Sequence, residues 1–85
     1  MKRFEYTITD PLGIHARPAG AIAAEAKKFA AEITIAKGEK TADARRLFAL
    51  MGLSAKAGDR LIITCDGIDE DAAAEALRAL LEANL

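Results

Sequence analysis

The sequence lacks tryptophan and has one cysteine, one histidine and no apolar run long enough to cross a membrane. Cys65 has no partner for an internal disulfide, and one histidine with one cysteine makes no metal site. Because Cys65 follows the apolar run Leu61-Ile62-Ile63, we expect it to pack as a small hydrophobic residue in a strand. No apolar stretch of signal-peptide length follows Lys2 and Arg3, so we expect a cytoplasmic protein without membrane insertion.

An excess of charge of either sign is also absent. The 12 Lys and Arg residues balance 13 Asp and Glu residues, so the net charge of -1 provides no field that attracts nucleic acid. Aromatic residues amount to 5% and form no exposed stacking pattern, which leaves a nucleic-acid-binding or metal-binding ferredoxin-like domain without support. With 52% hydrophobic and 29% charged residues, the chain has the composition of a globular protein, and we expect residues 1–85 to form a single domain.

Hydrophobic periodicity predicts seven elements in the order β-α-β-β-α-β-α. Apolar side chains alternate in the predicted strands and recur every three or four residues in the predicted helices. Asp43 and Asp69 are predicted to cap the second and third helices, and Gly52 to lie just past the end of the second. This order predicts an α+β fold, a largely antiparallel four-stranded sheet with three helices on one face. The predicted elements are a strand over Arg3–Thr9, a helix over Ala16–Ala30, a strand containing Ile33 and Ile35, a short strand after Gly38, a short helix containing Leu47, Leu50 and Met51, a strand containing Leu61, Ile63 and Cys65, and a helix with the apolar stripe Ala73, Leu77, Leu80 and Leu81.

The only histidine, His15, lies between a turn and the start of the first predicted helix, in the segment GIHARPA of residues 13–19. A helix N-terminus binds anions, because its first backbone N–H groups have no partner and the helix dipole is positive there. Pro18 in the first turn leaves the amides of Ala16 and Arg17 free to donate, and the Arg17 guanidinium matches the geometry of phosphate oxygens. Neutral imidazole is a nucleophile at pH 7. The pattern therefore favours covalent phosphoryl chemistry at His15 over the alternative, a helix cap or a solvated surface histidine.

This seven-residue segment resembles the active-site signature of the HPr family, the histidine phosphocarriers of the phosphoenolpyruvate-dependent phosphotransferase system, and the resemblance extends over most of the chain. It implies an open-faced β-sandwich and a carrier in sugar uptake, without cofactor, that takes part in phosphotransfer but is no independent enzyme. The implied donor is phosphorylated enzyme I and the implied acceptor an enzyme IIA domain. His15 is then phosphorylated on Nδ1, Arg17 contacts the phosphoryl group, and the amides of Ala16 and Arg17 complete the cradle.

The resemblance also implies an apolar docking patch beside the histidine, built from the starts of the first two helices. Gly20 stands where alanine is expected, which removes one methyl group from that patch. Phe48 is the member expected to be exposed, whereas the spacing of Leu47 and Met51 also fits core packing. Basic residues around the patch would steer acidic partners. The patch residues are Ala16, Gly20, Leu47, Phe48 and Met51, and the basic residues are Lys27, Arg45 and Arg46.

One position departs from many family members. Where they have a regulatory serine at the start of the second helix, this sequence has Arg46, and its only serine is Ser54. We therefore expect no serine-based regulation at that site. A nitrogen-related regulatory carrier remains the alternative function, since the acceptor decides between the two, and the size and charge favour a monomer.

Overall fold

The computed structural model describes residues 1–85, and its seven elements follow the predicted order. Alternating apolar residues form the strands, and residues with high helix propensity, mainly alanine and leucine, form the helices. No helix has both the length and the apolar composition needed to cross a membrane. The elements are β1 (Lys2–Thr7), α1 (Ala16–Ala26), β2 (Glu32–Lys37), β3 (Lys40–Asp43), α2 (Leu47–Gly52), β4 (Arg60–Asp66) and α3 (Glu70–Asn84).

The four strands form one sheet in the order β1-β4-β2-β3, and every neighbouring pair is antiparallel. β4 lies inside the sheet, where Ile63 is opposite Phe4 of β1 on one side and Ile35 of β2 on the other. Strands β2 and β3 form a hairpin whose turn contains Gly38 at a φ of +60°. The predicted α+β fold with an antiparallel four-stranded sheet is confirmed.

The core lies between one face of the sheet and the three helices. Inward strand residues such as Ile35 and Ile63 are fully buried, while their neighbours Thr34 and Ile62 are not. Ile22 of α1 and Leu77 of α3 lie in the same cluster of buried residues, so the helices cover this face. Full burial of each such side chain contributes roughly 1.5 to 3 kcal/mol. Cys65 is buried among them as predicted, and burial raises the pKa of its thiol.

Two elements are shorter than predicted because tertiary partners take their backbone amides. β1 ends at Thr7 rather than Thr9, since the amide of Thr9 donates to the Leu85 carbonyl at 2.7 Å. Helix α1 ends at Ala26 rather than Ala30. Beyond it, the amides of Ala30 and Ala31 each donate to the Asp69 carboxylate at 2.8 Å, which draws the chain out of the helix.

The predicted helix ends were partly wrong. Asp43 ends β3, and its carboxylate accepts the Arg45 amide at 2.9 Å in the turn before α2, whose N-cap position is Arg46. That bond lowers the pKa of Asp43. Asp69 does occupy the N-cap position of α3, but its carboxylate binds the distant Ala30 and Ala31 amides instead of its own helix, and these bonds lower its pKa. Gly52 is the last residue of α2 rather than the residue just past its end, and Leu53 occupies the C-cap position.

Candidate functional site

His15 occupies the N-cap position of α1 with an extended backbone, at φ -114° and ψ -170°. The imidazole makes no capping hydrogen bond, and no other side-chain or backbone group of the protein bonds to it. The residue is half-buried, so part of it remains open to solvent. The alternative role of His15 as a side-chain helix cap is therefore wrong, and the ring nitrogens are available for chemistry.

The first turn of α1 presents free backbone donors beside this ring. The first backbone bond of the turn runs from the Ala19 amide to the His15 carbonyl at 3.0 Å. The amides of Ala16 and Arg17 donate to no group in the protein, and Pro18, which has no N–H, is buried behind them. Two unbonded donors thus lie at the positive end of the helix dipole, which is an arrangement that can bind an anion.

His15 and Arg17 line the same open cleft, which has a volume of about 640 Å³. Arg17 is exposed and forms no ion pair, so its guanidinium is free to bind an anion in this cleft. Asp10 also lines the cleft, but its Oδ1 accepts the Leu12 amide at 2.8 Å and shapes the turn that precedes the histidine. Leu12 adds an exposed apolar side chain to the cleft wall.

The backbone just before His15 is fixed by a neighbouring loop. The Ile14 amide donates to the carbonyl of Ala55 at 3.0 Å. Gly13 has a φ of +64°, and a Cβ at this position would lie 2.1 Å from the same carbonyl oxygen. Only glycine fits both the backbone angle and the close approach. Gly13 therefore allows the segment before His15 to lie directly against the loop that contains Ala55.

The residues predicted to form the docking patch belong to α1 and α2, which pack against each other. Phe48 of α2 is 81% exposed, and Met51 of the same helix is 36% exposed. Ala16 is exposed at the start of α1, and a Cβ added at Gly20 would meet no atom within 4 Å. Leu47 is half-buried and packs against the core, so the core-packing alternative describes it in part.

The three basic residues predicted around this patch differ in position. Arg46 is exposed immediately before α2, next to Leu47. Arg45 is exposed too, but its guanidinium pairs with the Asp43 carboxylate at 3.4 Å. Lys27 lies just beyond the far end of α1, about 18 Å along the helix axis from His15 at 1.5 Å per residue. Only Arg46 is therefore both unpaired and adjacent to the apolar members of the patch.

Several residues of the site carried no signal in the sequence. Ala83 and Asn84, from the end of α3, line the cleft with His15. Ala55 supports the histidine segment through its backbone carbonyl alone. Contacts of this kind depend on the tertiary fold and leave no motif. No three His, Cys, Asp or Glu side chains come together as a group able to hold a metal ion.

Comparison with known proteins agrees with this geometry. The family model described as "PTS HPr component phosphorylation site" matches residues 2–83. The phosphocarrier protein HPr of Lysinibacillus sphaericus is 44% identical over 81 residues, which cover 95% of this chain and 92% of that protein. The solved histidine-containing phosphocarrier protein of Mycoplasma superposes with a TM-score of 0.94 at 36% identity, covering 96% of this chain and 93% of the other. Fold and site thus define a histidine-containing phosphocarrier of small α+β architecture.

Within that class, the chain belongs to the HPr family and is a phosphocarrier of the phosphotransferase system. A multiphosphoryl transfer protein of Xanthomonas campestris pv. campestris is 40% identical over 81 residues, covering 95% of this chain and 10% of that protein. A solved HPr dimer from Thermoanaerobacter tengcongensis superposes with a TM-score of 0.77 at 32% identity, covering 98% of this chain and 95% of the other. None of these relatives bears a name that supports the nitrogen-related alternative.

Proposed function

We propose that His15 accepts the phosphoryl group of phosphorylated enzyme I on Nδ1 and passes it to an enzyme IIA domain in sugar uptake. The observation that carries this proposal is the unbonded imidazole of His15 beside two unbonded amides, those of Ala16 and Arg17, at the start of α1. An imidazole used for structure would have a hydrogen-bond partner.

The proposed step exchanges one bond to phosphorus for another. The lone pair of His15 Nδ1 attacks the phosphorus atom, the N–P bond forms, and the bond between phosphorus and the donor group of enzyme I breaks with its electron pair returning to that donor. The reverse exchange, with enzyme IIA as the nucleophile, returns His15 to its neutral state. Catalysis of such transfers rests on positioning and on stabilising charge at the phosphoryl oxygens.

Arg17 and the helix start supply that stabilisation in this proposal. The amides of Ala16 and Arg17 donate to phosphoryl oxygens, and the Arg17 guanidinium approaches from the cleft it shares with His15. Because the guanidinium has no ion pair in the protein, it does not have to leave a partner when the phosphoryl group arrives.

Both partners dock, we propose, on the patch formed by Ala16, Gly20, Leu47, Phe48 and Met51. Phe48 is its apolar anchor, because a phenyl ring that is 81% exposed in the free protein has most of its surface left to bury in a complex. Arg46 is the basic residue closest to that anchor in sequence, with Arg45 and Lys27 further out, and all three favour acidic partner surfaces.

The proposal includes the state of the protein in the cell. Residues 1–85 act as one cytoplasmic domain, supported by the single cluster of 22 buried residues that all layers share. The domain works as a monomer, which light scattering after size exclusion tests against the dimer of the Thermoanaerobacter tengcongensis relative. Arg46 removes serine-based control, and phosphate labelling of Ser54 by a protein kinase would contradict this part.

Intact-mass spectrometry tests the carrier function directly. The protein is incubated with enzyme I, magnesium and phosphoenolpyruvate at neutral to alkaline pH and then treated with acid. We expect one added phosphoryl group that acid removes and that the His15→Ala variant does not acquire. The variant should fold normally, because the imidazole makes no hydrogen bond in the free protein. An acid-stable adduct, or one that persists in His15→Ala, would place the phosphoryl group on another residue.

A further inference from the structure

A lysine at the end of β2 contacts both ends of the loop that supports the histidine segment. The Nζ atom of Lys37 donates to the Ser54 carbonyl at 3.1 Å and lies 3.6 Å from Oδ2 of Asp59. The Lys37 side chain is only 27% exposed, which is low for a lysine in a hairpin. The ammonium therefore joins residues 54 and 59 at the two ends of one turn.

Hydrogen bonds close the turn at its Asp59 end, and the backbone is strained at its Ser54 end. Asp59 Oδ2 accepts the Lys56 amide at 2.8 Å, and the Asp59 amide donates to the Lys56 carbonyl at 2.9 Å. The Lys56 amide and, after it, the Lys37 ammonium lower the pKa of Asp59, so the carboxylate is charged at neutral pH. Ser54 has a φ of +54°, a left-handed conformation that a non-glycine residue holds only when its surroundings fix it.

Between these two ends lies Ala55, whose carbonyl accepts the Ile14 amide at 3.0 Å. Because Ile14 is the residue before His15, any movement of the Ala55 carbonyl is passed through one peptide unit to the histidine. Gly13 packs against the same carbonyl and leaves no space for the segment to shift toward the turn.

We propose that Lys37 is a positioning residue for phosphoryl transfer: it holds both ends of the 54–59 turn, and the turn holds His15 through the bond from Ile14 to Ala55. The proposal rests on the proposed role of His15. It differs from an ordinary surface ion pair, which changes stability slightly and leaves the histidine segment and the transfer rate unaffected.

Hydrogen exchange measured by NMR tests the first link. In Lys37→Met, which retains the aliphatic stem but lacks the ammonium, we expect the Ile14 amide to exchange about tenfold faster than in the unmodified protein. The Ile63 amide in the centre of the sheet should be unchanged, which shows that the variant is folded. Lys40→Met is the matched control, since Lys40 is an exposed lysine of the same hairpin without an ion pair or side-chain hydrogen bond. Unchanged exchange at Ile14 in Lys37→Met would overturn the proposal.

Steady-state phosphorylation by enzyme I tests the second link. We expect Lys37→Met to lower kcat about threefold to tenfold with an unchanged KM, because the lysine positions the nucleophile and lies outside the docking patch. An unchanged kcat, or a change in KM alone, would overturn it. Failure of the unmodified protein to accept a phosphoryl group on His15 would refute the proposed function instead. The exchange at Ile14 would still show whether Lys37 holds the 54–59 turn in place.

Discussion

The contact between Gly13 and the Ala55 carbonyl gives a stability difference that can be worked out from the structure. Replacing Gly13 by alanine places a methyl carbon 2.1 Å from that oxygen and leaves an L-residue at a φ of +64°. The left-handed conformation costs about 1 to 2 kcal/mol. Moving the segment away breaks the bond from Ile14 to Ala55, which contributes about 0.5 to 1.5 kcal/mol. Residual overlap adds to both, so we expect Gly13→Ala to lower the free energy of unfolding by about 2 to 4 kcal/mol.

A second glycine provides the matched control. Gly38 has a φ of +60°, but a Cβ there would meet no atom within 4 Å, so Gly38→Ala suffers only the backbone cost of about 1 to 2 kcal/mol. Both alanines restrict the unfolded chain equally, and this effect cancels in the comparison. The difference between the variants therefore isolates the close approach to Ala55, at about 1 to 2 kcal/mol or more.

Urea and thermal unfolding followed by far-UV circular dichroism measure this difference. For a domain of this size, each kcal/mol shifts Tm by about 4 to 8 °C, so Gly13→Ala should unfold at least about 4 °C below Gly38→Ala. Phosphorylation of His15 in Gly13→Ala should also be slower, whereas Gly38→Ala should react at the unmodified rate. Equal Tm values for the two variants would refute the view that the histidine segment is pressed against Ala55.

Three further predictions concern the cleft, the patch and the carboxylate of Asp69. Arg17→Ala should slow phosphoryl transfer by about 10²-fold or more in stopped-flow assays. Arg3→Ala is the exposed control and should react at the unmodified rate. Equal rates for Arg17→Ala and the unmodified protein would show that the Arg17 guanidinium does not assist transfer. Phe48→Ala should raise the KM for enzyme I without changing Tm. The control Ile68→Ala removes a side chain that is 97% exposed in another turn, and it should change neither value. A large loss of stability in Phe48→Ala would place Phe48 in the core. Asp69→Asn should lower Tm at neutral pH because the two amide bonds to the carboxylate weaken. Since these bonds hold the folded pKa of Asp69 below its ordinary value of 3.8, the stabilisation is complete above that pH and lost as the pH falls through the folded pKa, so the Tm values of the two proteins should converge in acid.

The strand positions and the histidine site were predictable because their signals are local. Alternation in the segment from Leu61 to Cys65 reflects a strand buried on one face, and that face is the one the helices cover. His15, Arg17 and Pro18 are within four residues of one another, so one helix start brings them together without help from the rest of the fold.

The ends of elements and the supports of the site were less predictable, because they depend on residues far apart in the sequence. Asp69 has the position of a helix cap, yet its carboxylate binds amides beyond α1, and only the packed structure determines which amides are near. Similarly, the Ala55 carbonyl accepts the amide of the distant Ile14, and the Lys37 ammonium donates to the carbonyl of the distant Ser54. No side-chain pattern in the sequence indicates either contact.

The inner position of β4 has a consequence for how the protein is made. β1 and β2 both pair with β4, so neither has this partner until the chain has been synthesised through Asp66. Pairings between such distant segments raise the contact order and slow folding relative to helical bundles. The Ala55 carbonyl, on which the segment before His15 rests, also appears late. A nascent chain thus has its histidine long before it has the geometry to use it, and phosphoryl acceptance should arise together with the completed sheet.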